Sequence, residues 1–330
     1  MSNRKYRMKI FFDATHLYYL TQYLPVYRRL QEQGAECHFC FYREHGMQQA
    51  INTVVSQEGL KAHWVENRAG AARFYREMSP HWVIFGNTFP DLGKLAPATK
   101  TAQLYHGIGM KSDVYRPGLM EMDIRFVEGP HYTEILERMY PGRPMLEVGY
   151  AKLDPLFGPP DRRPRLDLAG AGLDENKRTI LYAPTYYPSS IELMADDWPG
   201  QFREYNLIVK PHPFTLSKEK YRRQREKLTR WSRAPNVHFP EPDAFNLLPY
   251  MGCADLMISD ASSALFEFAA LDKPVVWCDF LKVRWSYRGP LRFRLRKRLD
   301  DTIYQYSDIS AHARSYQELK AVVEAELANP

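Results

Sequence analysis

Short apolar runs recur along the chain, and longer stretches between them place apolar residues every three or four positions. The runs read as strands covered on both faces, and the stretches as amphipathic helices. In the first half, strands are expected at 8–12, 36–42, 62–65, 82–85, 101–105, 124–127 and 145–148. Helices are expected between them at 17–33, 44–56, 71–78 and from 132, with Pro25 bending or breaking the first and Gly34 closing it. The pattern lapses over 158–178, which is rich in Pro, Gly, Asp and Arg and reads as a linker. It then resumes with strands at 179–183, 206–209, 236–239, 256–258 and 275–278, and helices at 217–233, 245–251 and 265–271. A last amphipathic stretch, 311–327, reads as a helix that packs back on the first domain. Strands alternating with helices imply parallel βαβ units. The expected class is therefore α/β, with two doubly wound, Rossmann-like domains (1–157 and 179–330) facing across a cleft.

The 330 residues suffice for two cores of roughly 150 residues each. With 45% hydrophobic and 25% charged residues, the chain is expected to fold rather than stay disordered. No run approaches the ~18 apolar residues of a spanning helix. Asp13 and His16 interrupt the apolar run after Arg4, Lys5 and Arg7, which argues against a secretory signal. Cys37 and Cys40 have CxxC spacing on an expected strand, where residues three apart face opposite ways, so they make a poor redox or metal clip. Cys253 and Cys278 sit in apolar surroundings, and the set suits a reducing, cytosolic compartment.

The net charge of +6 is concentrated in one place. Residues 280–298 hold Lys282, Arg284, Arg288, Arg292, Arg294, Arg296, Lys297 and Arg298 and no acid, interleaved with Trp285, Tyr287 and Phe293. That composition fits attachment to an anionic membrane surface, with a solvated face or a loop touching a donor's phosphates as alternatives. A nucleic-acid partner is not expected, since no recognition module accompanies the single basic run.

In open parallel sheets, ligands bind beyond the carboxyl ends of the strands. Four expected strand ends carry chemistry. His106 and Gly107 follow 101–105, the glycine permitting a turn and close backbone approach to a ligand. Thr185 follows 179–183. Lys210 and His212 follow 206–209, with Pro211 and Pro213 fixing the backbone on both sides of the imidazole. Asp260, Ser262 and Ser263 follow 256–258 and precede a helix, whose first N–H groups and dipole favour an anion. An ordinary capped helix is the alternative there. Thr185, Lys210, His212, Asp260, Ser262 and Ser263 together suit a pyrophosphate. Glu267, a turn further, suits ribose hydroxyls or a solvated helix face. Neither GxxxxGK[ST] nor GxGxxG occurs, which weighs against a P-loop kinase and a dinucleotide oxidoreductase. No DxD-like pair is placed to hold a cation, so neither metal nor cofactor is expected. Two doubly wound domains with a nucleotide pocket in the second suggest the GT-B transferase architecture.

The segments YHGIGMK (105–111), GYAKLD (149–154), YAPTYY (182–187), KPHP (210–213) and SDASSALFEFAALDKPVV (259–276) occur in that order. In them the chain resembles the CDP-glycerol glycerophosphotransferase family, the teichoic-acid primases and polymerases. Ala261 stands where that family usually has a bulkier aromatic, and Ile108-Gly109 where Thr-Pro is more frequent. The resemblance implies transfer of glycerol phosphate, or a related polyol phosphate, from CDP-glycerol to an acceptor hydroxyl, with CMP leaving. It implies His106 as the base and His212, Ser262 and Ser263 as contacts to the donor phosphates. The implied partners are a nucleotide-activated polyol donor and a lipid-linked or glycan acceptor. The implied place is the cytoplasm, peripheral on the inner face of the plasma membrane. Similar strand-end residues would also serve a GT-B glycosyltransferase or epimerase using a CMP- or UDP-sugar.

Overall fold

The computed structural model describes residues 7–43, 47–108, 112–241, 243–283, 287, 289–292 and 301–328. They form two compact units, Met1–Gly107 with Asp113–Asp154, and Ile108–Ser112 with Pro155–Pro330.

The first unit holds seven strands: β1 (Lys9–Ala14), β2 (Glu36–Tyr42), β3 (Ala62–Val65), β4 (Trp82–Phe85), β5 (Lys100–Leu104), β6 (Ile124–Val127) and β7 (Met145–Glu147). Their order is β3-β2-β1-β4-β5-β6-β7, with every neighbouring pair parallel. Adjacent residues of β1 show why the strands read as unbroken apolar runs. Phe11 packs against Phe74 and Tyr75 of the helix Arg68–Met78, while Phe12 packs against Tyr23 and Tyr27 of the helix Leu20–Glu32. Both faces are covered, so neither position can be polar.

Of the two outcomes expected at Pro25, a bend or a break, the break does not occur; one helix runs from Leu20 to Glu32. Only the bond to the Thr21 carbonyl is forfeited, and burial of Leu20, Tyr23, Leu24 and Tyr27 outweighs it. The helix ends at Gly34, whose φ of +86° needs a residue without a side chain. Ala35 N–H then donates back to the Leu30 carbonyl at 3.0 Å.

The second unit holds β8 (Thr179–Tyr182), β9 (Asn206–Val209), β10 (Val237–His238), β11 (Leu256–Ser259), β12 (Val275–Cys278) and β13 (Ala311–Ala313), in the order β10-β9-β8-β11-β12-β13. Both sheets thus share the 3-2-1-4-5-6 winding of nucleotide-binding sheets, the first extended by β7. The order reverses between β1 and β4 and again between β8 and β11, the places where such sheets hold ligands.

Three expectations are corrected in this unit. Residues 311–313 form an edge strand, with Ala311 beside Val276, instead of opening a helix. That strand turns the chain back onto its own sheet. The following helix, Tyr316–Ala328, therefore buries Leu319 and Val323 among Ile258, Val276 and Ala313 in the second core. The basic stretch after β9 is two helices, Pro213–Ser217 and Arg222–Trp231, separated by a turn of 3-10 helix at Glu219–Tyr221. The stretch read as a linker also has fixed partners in this unit: Leu166 N–H donates to the Pro249 carbonyl at 3.0 Å, and Asp174 N–H to Asn206 Oδ1 at 3.1 Å. All four cysteines are free and buried, and burial pushes the Cys37 thiol up to about 11.

Candidate functional site

In the first unit, His106 leaves the carboxyl end of β5 and its Nδ1 lies 2.7 Å from the carbonyl oxygen of Gly86, the residue after β4. A carbonyl can only accept, so Nδ1 carries the proton, and in the neutral ring Nε2 is then the acceptor. The ring stacks on buried Tyr19, with centroids 4.4 Å apart and planes 16° apart, and meets Tyr105 at 4.5 Å and Tyr18 at 5.4 Å. Gly86 makes this possible. A Cβ there would lie 2.7 Å from Tyr19 Cδ2 and 2.8 Å from Tyr23 Oη. Nearby in the sheet, Asp13, next to last in β1, is buried and accepts from the hydroxyls of Tyr42 at 2.7 Å, Tyr75 at 2.9 Å and Thr15 at 3.0 Å. Burial raises its carboxyl above the usual range against those bonds. It is a satisfied group that anchors the end of β1.

In the second unit, His212 caps the helix Pro213–Ser217 with φ −59° and ψ 139°. Its Nδ1 accepts the Phe214 N–H at 3.1 Å, so this ring is neutral with its proton on Nε2, the reverse of His106. The two prolines flanking it hold that cap. Lys210, at the end of β9, is 8% exposed, and burial pushes its ammonium down to about 8, with Asp243 pulling the other way. The ammonium has no hydrogen-bond or ion-pair partner among the described residues. A buried cation in that position is costly and favours an incoming anion.

Ser262 and Ser263 are half-buried where the chain enters the helix Ala264–Ala269. Ser262 Oγ accepts the Ala264 N–H at 3.3 Å, and the Ser263 hydroxyl donates to Glu267 Oε1 at 3.3 Å. This helix stops short of the expected 271, and Asp272 follows it in the left-handed region at φ +57°. Three residues expected to meet the donor are enclosed instead. Glu267 and Asp260 are 0% exposed and Thr185 is 3% exposed. Asp260 accepts from Thr185 N–H at 2.7 Å and Ser190 N–H at 2.9 Å, and burial pushes its carboxyl up to about 6. A buried carboxylate needs its donors close by, and the loop after β8 supplies them.

Of the basic patch, Arg284, Arg288, Arg294, Arg296, Lys297 and Arg298 lie outside the described residues, and only the backbone of Arg292 is described. Among the described residues no helix is long and apolar enough to cross a membrane. Sequence reasoning overlooked Tyr19, Gly86 and Tyr186. The available signals were a glycine directly after a buried strand and, for Tyr186, an aromatic side chain three residues beyond an expected strand end.

A model of the family described as CDP-glycerol:poly(glycerophosphate) glycerophosphotransferase matches residues 7–280. The teichoic acid glycerol-phosphate primase of Bacillus spizizenii is 33% identical over 121 residues, which span 32% of this chain and 26% of the primase. Among solved structures, the wall teichoic acid polymerase TagF is similar over 97% of this chain and 81% of its own, with a TM-score of 0.64 at 16% identity. A UDP-N-acetylglucosamine 2-epimerase from Neisseria meningitidis, bound to UDP-GlcNAc, is similar over 98% of this chain and 94% of its own, with a TM-score of 0.59 at 14% identity. These likenesses establish the fold, two parallel α/β sheets of the GT-B-like class. The family match spans most of the chain and includes both histidine turns, and the chain belongs to the CDP-glycerol:poly(glycerophosphate) glycerophosphotransferase family.

Proposed function

We propose that the chain transfers glycerol phosphate, or a related polyol phosphate, from CDP-glycerol to an acceptor hydroxyl and releases CMP. The observation that carries this reading is the opposite hydrogen bonding of Nδ1 in the two strand-end imidazoles, donating in His106 and accepting in His212. In its neutral form His106 then offers a lone pair at Nε2, as a base requires, and His212 offers a proton at Nε2, as a phosphate requires. The acceptor oxygen forms a bond to the β-phosphorus, the bond from that phosphorus to the bridging oxygen breaks, and CMP leaves with the electron pair. His106 Nε2 takes the acceptor's proton. His212, Lys210 and the hydroxyls of Ser262 and Ser263 donate to the phosphate oxygens, where phosphoryl transfer gains most from neutralised charge. Gly107, without a side chain, permits a turn and close backbone approach of a ligand next to His106, and Glu267 orients Ser263. No step is assigned to a metal or cofactor.

The acceptor in this reading is a lipid-linked or glycan hydroxyl, with the basic segment 280–298 holding the chain at an anionic leaflet. Co-sedimentation with vesicles containing anionic lipid at low salt tests that attachment; protein left in the supernatant rejects it. Incubation with CDP-glycerol and with CDP-ribitol, followed by assay of CMP, tests the donor. Release of CMP from either supports polyol-phosphate transfer. A melting temperature raised by UDP and unmoved by CMP would instead favour a UDP-sugar enzyme.

A further inference from the structure

One carboxylate ties three strand ends of the second unit together. Strands β9, β8 and β11 are neighbours in the sheet, and Asp260 follows β11. Its Oδ1 accepts the Thr185 N–H at 2.7 Å. Its Oδ2 accepts the Ser190 N–H at 2.9 Å, the Ser190 hydroxyl at 2.9 Å and the Ser189 hydroxyl at 3.2 Å. These bonds clamp the loop after β8 at both ends. The loop in turn grips His212. The Pro184 carbonyl accepts the His212 backbone N–H at 3.2 Å, and the Tyr186 ring lies 4.7 Å from the imidazole at 58°. Tyr186 also packs on Phe214 at 5.2 Å, the residue whose N–H fixes His212 Nδ1.

We infer that Asp260 is a positioning residue for His212, acting through the 184–190 loop and the ring of Tyr186. The inference rests on the role proposed above for His212. A carboxylate accepts at both oxygens, whereas an amide of the same shape accepts at one and donates at the other. In Asp260→Asn, the N–H of Thr185 or that of Ser190 must therefore face an NH₂ group. The loop loosens, Tyr186 leaves the imidazole, and the ring turns away from the Phe214 N–H.

Nitrogen-15 spectra of histidine-labelled protein test this, with the His212 signals assigned by their loss in His212→Gln. The wild-type protein shows one tautomer, with the proton on Nε2. Asp260→Asn and Tyr186→Leu move the His212 signals toward a mixture of tautomers, and turnover falls about tenfold, the usual cost of releasing a ligand-orienting side chain. Tyr186→Phe, which keeps the ring, retains the wild-type signals. Leu319→Ala, in the C-terminal helix of the same core, lowers the melting temperature and leaves His212 unchanged, which separates positioning from lost stability. Unchanged His212 signals in folded Asp260→Asn or Tyr186→Leu would overturn the inference, as would equal movement in Leu319→Ala. Should the signals move as described in a protein that releases no CMP from any donor, the positioning stands and the proposed reaction fails.

Discussion

Gly86 contributes only a carbonyl oxygen, yet that oxygen decides which nitrogen of His106 is protonated. Gly86→Ala would force its Cβ against Tyr19 and Tyr23, at a cost of about 1–3 kcal/mol for an overpacked site. Urea unfolding should show that loss, and CMP release should fall with it as the carbonyl shifts; wild-type values for both would remove Gly86 from the account. Lys210 gives a pH dependence. Its ammonium titrates near 8 in the free protein, and a bound anion favours the charged form, so the folded protein takes up a proton on binding above that pH. The Kd for CMP should be flat between about pH 7 and 8, above the second ionisation of its own phosphate at about 6, and weaken toward a slope of about tenfold per pH unit at higher pH. A flat profile to pH 9.5 would place the anion elsewhere. The strand-end positions of His106, His212, Lys210 and the paired serines were legible because apolar runs stop just before them. The enclosure of Asp260 and Glu267 was not, because a carboxylate's burial depends on which loop folds over it.

Whole elements show the same division. Strands covered on both faces announce themselves as apolar runs, so their existence was readable. The edge strand β13 was not, being three residues long and including His312. Pro25 does not end its helix because a missing N–H costs one bond, while the buried face of that helix supplies far more. At the other edge of the first sheet, His38 Nδ1 lies 3.0 Å from His63 Nε2, and His38 Nε2 3.2 Å from Glu36 Oε1. Burial lowers the affinity of both histidines for protons, against the pull of Glu36 on His38. The folded state then binds fewer protons than the unfolded one below the ordinary histidine value near 6.5. The pair's contribution to stability is complete above that pH and declines as pH falls through the folded values. Chemical unfolding at pH 7.5 and 5.5 should show the stability gap between wild type and His63→Phe shrinking in acid, since phenylalanine keeps the packing on Phe11 and Phe74. A gap independent of pH would show that the pair does not titrate with folding.

Over the whole molecule, two sheets of one winding arise from two passes of the same βα pattern. The reversals of strand order lie beside the residues on which the proposed function depends: Gly86 after β4, and the Asp260–Ser263 turn after β11. That level was the most legible, because an alternation of strands and helices admits few parallel topologies. The family match supports the proposed class of chemistry, and the two imidazoles carry the proposed division of labour. The most direct test measures CMP release from CDP-glycerol in the presence of a detergent-solubilised, lipid-linked glycan acceptor, with donor affinity determined alongside by calorimetry. His106→Ala should lower turnover by ~10²-fold or more while CDP-glycerol binds as in the wild type, the expected loss for a general base. Near-normal turnover in that variant would contradict the account.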